Sequence, residues 1–300
     1  MDGLDSLSLR DLRAVVALAE RLHFGKAAED LDMAQPSLSA AVKKVESALG
    51  ERLFERTSRH VSLTPAGQSA VQRIRAVLED MTEIGRGKPA QVRLSGQFRL
   101  GLIPTIGPYY APRFLAALRG GYPQLELVLT ESLTESLLQM LRHRLIDAAV
   151  LCLPAGEWGL TETPLLREPF LLAVPADHSL AGRDEVSLGG IEMREMLLME
   201  RGHCLRDQTL ETCGITPDAA LNPIQAASIE TLRHLVAAGC GCAMFPQMAA
   251  APSMDCGGLV RYLPFGEPAP SRTIGLVFYD RSTRAEDAAE LAAFLKKLPS

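Results

Sequence analysis

The chain has 300 residues, 47% hydrophobic and 22% charged, an ordinary globular composition with room for two or three domains. Its net charge of −5 weighs against a generally basic nucleic-acid protein. Residues 1–88 are nevertheless balanced, and Met33–Leu63 holds a local excess of +2 that permits contact with phosphate. The opening MDGLDSLSLRDLRAVV has no basic segment followed by an apolar core, and later apolar runs are short. Neither a signal peptide nor a membrane span is therefore expected, and a soluble cytoplasmic protein is.

Leu9, Leu12, Val16 and Ala19 recur at helical spacing, which predicts an amphipathic helix over Ser8–Arg21. A short helix follows from Phe24 to about Leu31. A third is predicted over Gln35–Leu49, with Pro36 in its first turn and Gly50 at its end. Leu38, Val42, Val45 and Leu49 form its expected buried face. Ser37, Ser39, Ala40, Lys43 and Lys44 form the other, small or polar near the N-terminus and cationic further along. Such a helix suits a DNA major groove flanked by phosphates, although a three-helix bundle with a solvated basic face has the same pattern. Beyond Pro65, Val71, Ile74, Leu78 and Met81 step by three, four and three. This is the seam of a dimerising helix, or a face packed on its own domain. Gly85-Arg86-Gly87-Lys88-Pro89 reads as a hinge.

From Phe98 strand-like and helix-like pieces alternate: FRLGLIP, Pro108–Arg119, LELVLTE, Thr134–His143 and DAAVLCL. A second unit begins near Pro169, and TIGLVFY with a last helix over Arg284–Lys297 returns the chain to the first. This predicts an α/β domain of two Rossmann-like lobes with a largely parallel sheet, like periplasmic binding proteins, and a ligand cleft at strand ends. The expected divisions are a DNA-binding domain over 1–65, a linker helix and hinge over 66–90, and a regulatory domain over 91–300. Within the last, one lobe takes about 91–167 and 270–300, the other about 168–269.

The cysteines are Cys152, Cys204, Cys213, Cys240, Cys242 and Cys256. None forms a CxxC pair, and no metal site or cofactor is expected. In the stretch GHCLRDQTLETCG, Leu205–Cys213 has helical composition and Gly214 is a natural stop. A helix there holds the Cα atoms of Cys204 and Cys213 roughly 13.5 Å apart. A disulfide needs about 4.4–6.8 Å, so bonding requires unwinding. If the two thiols react, Cys204 at the helix N-terminus, near Arg206 and His203, is the better nucleophile and Cys213 the resolving thiol; by spacing alone both also fit small core hydrophobes. Cys152, Cys240, Cys242 and Cys256 read as small core hydrophobes.

The stretch HFGKAAEDLDMAQPSLSAAVKKVESALGERLFERTSRHVSLTPAG resembles the winged helix-turn-helix of the LysR-type transcriptional regulators. The resemblance makes Gln35–Leu49 the recognition helix and Arg52–Leu63 the wing. It implies DNA contacts by Gln35, Pro36, Ser37, Ser39, Lys43, Lys44, Arg56 and Arg59. Ala34 stands where the family often has a capping serine. GHCLRDQTLETCG and SIETLRHLVAAGCGCAMFP look like the peroxide-sensing members of that family. By that resemblance Cys204 is the peroxide-reactive cysteine and Cys213 its disulfide partner. Thr105, Thr134, His203, Asp207 and Arg272 match residues of the peroxide pocket; Thr105 and Thr134 are also placed to cap helices. The resemblance further implies a homotetramer built as a dimer of dimers, binding to promoter DNA, recruitment of RNA polymerase, and re-reduction by a cellular thiol reductant. Two other readings fit parts of the chain: a LysR-type regulator of a small anionic metabolite, and a thiol peroxidase.

Overall fold

A computed structural model describes residues 4–56, 60–86, 93–214 and 223–298. The chain divides near residue 92 into two compact units.

In the first unit α1 (Leu9–Arg21), α2 (Phe24–Asp30) and α3 (Gln35–Leu49) are followed by the strands β1 (Phe54–Arg56) and β2 (Val61–Leu63), and then α4 (Pro65–Arg86). Ser8 caps α1 through a reciprocal pair of hydrogen bonds with Asp11. Ala34 begins α3 with no side-chain cap, and Gly50 closes it in the left-handed region. β1 and β2 pair antiparallel, Phe54 opposite Leu63. The core is Ala14, Val15, Leu18, Ala27, Leu38, Val42, Val45, Leu53, Val71 and Ile74, among others. The expected faces are therefore slightly rotated. Ala14, Val15, Ala17 and Leu18 are the buried residues of α1, and Leu9 is exposed. On α3, Ala41 is buried and Leu49, at 39% exposure, is not. Val71 and Ile74 are buried in this unit's own core, with Leu78 packed against it. Three of the four seam positions thus serve the domain that carries them, while Met81 is exposed. Helix α4 continues through Gly85 and Arg86 of the expected hinge, whose remainder, 87–90, lies outside the described residues.

The second unit contains β3 (Gly96–Leu102), α5 (Gly107–Gly121), β4 (Leu125–Glu131), α6 (Thr134–Arg142), β5 (Ala148–Leu153) and β6 (Leu160–Pro175). Next come β7 (Leu198–Met199), α7 (Cys204–Thr212), β8 (Gln225–Ala226), α8 (Ile229–Ala237), β9 (Ala243–Pro246), β10 (Val260–Pro264), β11 (Ser271–Tyr279) and α9 (Ala285–Leu295). Two hydrophobic cores result. One lies around Phe98, Leu100, Phe114, Val150 and Leu276, the other around Phe170, Leu172, Leu198, Leu232 and Phe245.

Strand β6 joins them. Its residues 160–169 pair with β11, and Phe170–Pro175 pair with β9 and β10. It runs without a break through the expected lobe boundary at 167/168. Among the described strands, parallel ladders join β4–β3–β5 and the short β7–β8 pair, with two isolated parallel bridges besides, Val186 to Phe265 and Met196 to Cys242. Pairings of β6 and β11 are antiparallel, so the largely parallel sheet expected from the alternation of elements is a mixed one. The reason is the return of the chain: β11 enters between β5 and β6 from the opposite direction. No described helix is long and apolar enough to cross a membrane.

Candidate redox site and nucleic-acid interface

In the first unit, α3 turns Leu38, Ala41, Val42 and Val45 inward, which leaves Gln35, Pro36, Ser37, Lys43 and Lys44 exposed and Ser39 half-buried. Phe24, Gln35, Pro36 and Ser39 line an open depression at the helix start. Lys44 Nζ donates to Asp11 Oδ2 at 2.8 Å, while its side chain stays 44% exposed. Lys43 is exposed as well. Arg56 closes β1, and Arg59 lies outside the described residues.

The thiol site is built where the two cores of the second unit meet. Cys204 opens α7 and packs against the first core, while Leu205 is buried in the second. Gly202 precedes it at φ +96°, a conformation that favours glycine. A recess with no room for a water molecule lies among Ile103, Pro104, Thr105, Leu133, Thr134, Gly202, His203 and Cys204. Thr134 Oγ1 is buried there without a hydrogen-bond partner.

Antiparallel pairing sets Arg272 of β11 opposite Glu168 of β6, and Ile274 opposite Cys152 of β5. Opposed residues share a face, so Arg272, Glu168 and Cys152 all point the same way. The buried Arg272 guanidinium donates from Nε to Glu168 Oε2 at 2.7 Å. It donates from Nη1 to Thr105 Oγ1 at 2.9 Å, and from Nη2 to the Thr105 carbonyl at 3.0 Å. Glu168 Oε1 accepts the Met248 N–H at 2.7 Å. Every nitrogen and oxygen of this ion pair thus has a partner within the protein, which is what burial of two charges requires. Arg272 Nη1 also lies 3.8 Å from Cys152 Sγ, and Cys152 Sγ lies 3.6 Å from Cys204 Sγ.

The two sulfurs are in hydrogen-bond contact, and either can be the donor. By accepting the hydrogen bond from Cys204 and facing Arg272, the Cys152 thiol is lowered to about 6, with the Gln208 amide as a further donor. Cys204 is pushed above the ordinary thiol range by its hydrogen bond to Cys152 and by burial; Arg272 and the Thr105 hydroxyl act in the opposite direction. The low pKa expected of Cys204 is thus opposed by its contact with Cys152 and by burial. The helix N-terminus and Arg272 both favour an anion on this pair of sulfurs.

The sequence neighbours of Cys204 also behave differently from expectation. Arg206 is buried and donates to the Met199 carbonyl at 2.8 Å. Burial lowers the pKa of His203, so its imidazole lines the recess uncharged near neutral pH. Asp207 is exposed and is not one of the residues lining the recess. The structure thus brings Thr105, Thr134, His203 and Cys204 to one recess, with Arg272 behind Thr105, and leaves Asp207 outside. Glu168, Gln208 and Cys152 went unassigned in the sequence because no local pattern marks them. Only the hydrophobic run AAVLCLP was visible around Cys152, and burial there is real but not inert.

Cys213 stands at the other end of α7 as its C-cap, with Gly214 beyond it at φ +61°. It is half-buried against the second core, and burial raises its thiol pKa. All six cysteines are free thiols. Because α7 is helical from Cys204 through Thr212, the two cysteines lie roughly 13.5 Å apart along its axis.

Two family models match the chain: the bacterial regulatory helix-turn-helix of the lysR family over residues 9–68, and the LysR substrate binding domain over 91–299. The Escherichia coli K12 protein described as the DNA-binding transcriptional dual regulator OxyR is 40% identical over 288 residues, covering 95% of this chain and 94% of that one. A full-length OxyR variant from Pseudomonas aeruginosa superposes with a TM-score of 0.76 at 35% identity, covering 98% of this chain and 96% of the other. A hydrogen-peroxide-bound variant of Corynebacterium glutamicum OxyR gives 0.66 at 35% identity, covering 97% and 92%. With both of its units matched and its length covered almost completely, the chain belongs to the LysR-type transcriptional regulators and, within them, to the OxyR proteins.

Proposed function

We propose that this protein senses hydrogen peroxide through Cys204 and responds by forming a Cys204–Cys213 disulfide that alters its action on promoter DNA. The observation that carries the reading is the recess at Cys204. It gathers Thr105, His203 and the unpartnered Thr134 hydroxyl around a thiol at a helix N-terminus, with a buried arginine behind. A ligand able to both donate and accept hydrogen bonds suits two threonine hydroxyls. A recess with no room for a water molecule is far too small for a metabolite, and peroxide enters it only if its walls move.

Attack by the Cys204 thiolate breaks the O–O bond, giving a sulfenic acid and, after protonation, water. Cys213 then displaces a second water to form the disulfide. Since α7 separates the two sulfurs, the product requires its unwinding, which makes α7 the two-state element. Thr105, Thr134, His203 and Arg272 position the oxidant and the anion; Asp207 has no such part. Gln35, Pro36, Ser37, Ser39, Lys43 and Lys44 present the DNA-facing side of α3, joined by Arg56 and Arg59 of the wing. The exposed Val77 and Met81 of α4 offer a surface for assembly into dimers and then tetramers. Recruitment of RNA polymerase and re-reduction by a cellular thiol reductant complete the cycle. The division into residues 1–65, 66–90 and 91–300 assigns these tasks to separate parts.

The test is peptide mapping after about one equivalent of peroxide, with remaining thiols blocked. A Cys204–Cys213 cross-link in the wild type that is absent from Cys204→Ser supports the sensor. Thiols that stay free while the protein still binds a promoter duplex refute it.

A further inference from the structure

Cys152 has no part in the switch described above, yet it is the thiol closest to Cys204. Its Sγ lies 3.6 Å from Cys204 Sγ, and an S–S bond measures about 2.05 Å, so the sulfurs need to approach by about 1.5 Å. Cys213 instead lies across the full length of α7. Cys152 is held at the end of β5 by its pairing with β11 and lies beside the Arg272 guanidinium and the Gln208 amide.

Resting on the reading of Cys204 as the oxidised residue, we propose that Cys152 is a first resolving thiol. In this relay Cys204 is oxidised, bonds to Cys152 without unwinding α7, and is then handed on to Cys213.

Each step balances. The Cys204 proton passes to the Cys152 thiolate across their contact. The Cys204 thiolate attacks hydrogen peroxide and becomes a sulfenic acid, releasing hydroxide, which takes up a proton to leave as water. The Cys152 thiol loses its proton and attacks the sulfenic sulfur. The hydroxyl leaves with that proton as a second water, and a Cys152–Cys204 disulfide remains. Two thiols have then lost two electrons to one peroxide. When α7 unwinds, the Cys213 thiolate attacks Cys204, and Cys152 departs as a thiolate. No further oxidant is consumed. A thiolate stabilised by Arg272 is a good leaving group, since exchange is faster when the departing thiol has the lower pKa. The relay also protects Cys204: while α7 is still helical, the sulfenic acid has a partner in reach and is kept from further oxidation.

The test uses full-length wild type, Cys213→Ser and Cys152→Ala. Each receives one equivalent of hydrogen peroxide, is quenched with a thiol-blocking reagent over a time course, and is mapped by mass spectrometry with dimedone to trap sulfenic acid. The wild type should show a Cys152–Cys204 peptide that rises first and falls as Cys204–Cys213 appears. Cys213→Ser should accumulate the Cys152–Cys204 species as its end product, and Cys152→Ala should lose it and trap more dimedone at early times. If Cys213→Ser yields oxidised Cys204 with Cys152 still free, the relay is overturned and the peroxide sensor stands. A wild type that forms Cys204–Cys213 with no earlier Cys152–Cys204 species overturns the relay as well. If Cys204 stays reduced in every protein, both proposals fall.

Discussion

At the scale of single residues, the buried Arg272–Glu168 pair governs the thiol site. Arg272 supplies the positive charge beside Cys152 and orients Thr105, and Glu168 balances it inside the protein. Arg272→Ala leaves an uncompensated buried carboxylate. A loss of about 3–5 kcal/mol in chemical denaturation is expected, together with slower oxidation by peroxide. His203 makes a separate contribution through pH. Its folded pKa lies below the ordinary 6.5 because burial disfavours the cation. The unfolded chain therefore takes up a proton first as pH falls. The stability that His203 contributes is complete above about 6.5 and is lost progressively below it. Denaturation curves between pH 7.5 and 5 should fall less steeply for His203→Gln than for wild type; equal slopes would contradict a buried neutral imidazole.

At the scale of elements, α7 is a poor helix by its own means. It has nine residues, two of them threonines, and Thr209 Oγ1 bonds back to the Leu205 carbonyl at 2.7 Å. What holds it is tertiary: Leu205 in the second core, Arg206 on Met199, and Leu210 with Cys213 half-covered. A helix held this way is suited to being released. Glu211 is exposed, so a glycine there acts on helix stability alone, at roughly 1 kcal/mol. If unwinding limits the step, Glu211→Gly should speed formation of the Cys204–Cys213 disulfide by about fivefold, in proportion to that energy. Stopped-flow quenching with peptide mapping measures it. An unchanged rate would mean that α7 opens before the limiting step.

At the scale of the whole molecule, α4 divides its apolar residues between buried and exposed positions. Val71 and Ile74 complete the core of the first unit, whereas Val77 and Met81 are 47% and 41% exposed. Two large apolar side chains four residues apart on a helix share a face, as a contact with a second chain requires. Val77→Glu with Met81→Glu should shift analytical ultracentrifugation toward smaller species and leave thermal unfolding of the first unit nearly unchanged. Ile74→Ala, by contrast, should cost that unit about 2–5 kcal/mol. If the double variant assembles as wild type does, assembly uses another surface.

The sequence alone determined what short-range physics controls. Helix starts and stops followed from local chemistry: Ser8 at the start of α1, Pro36 and Gly50 around α3, Gly214 after α7. The GHCLRDQ motif marked Cys204 through its resemblance to known sensors. Faces were less legible. A one-residue rotation of α1 and α3 exposed Leu9 and Leu49, because small alanines take buried places that a search for large apolar residues overlooks. The mixed sheet was hidden too, since the direction in which β11 enters depends on where a distant segment lands. Tertiary structure decided the electrostatics of the site. Arg206, two positions along the chain, donates to the Met199 carbonyl instead, and Arg272, 68 positions beyond Cys204, supplies the charge. Cys152 looked like core filler in an apolar strand, and it is filler by burial. Its reactivity comes from strand register and a charge that reaches it only when β5, β6, β11 and α7 are assembled. Coulomb and hydrogen-bond terms act over a few ångströms of space, whatever the separation along the chain.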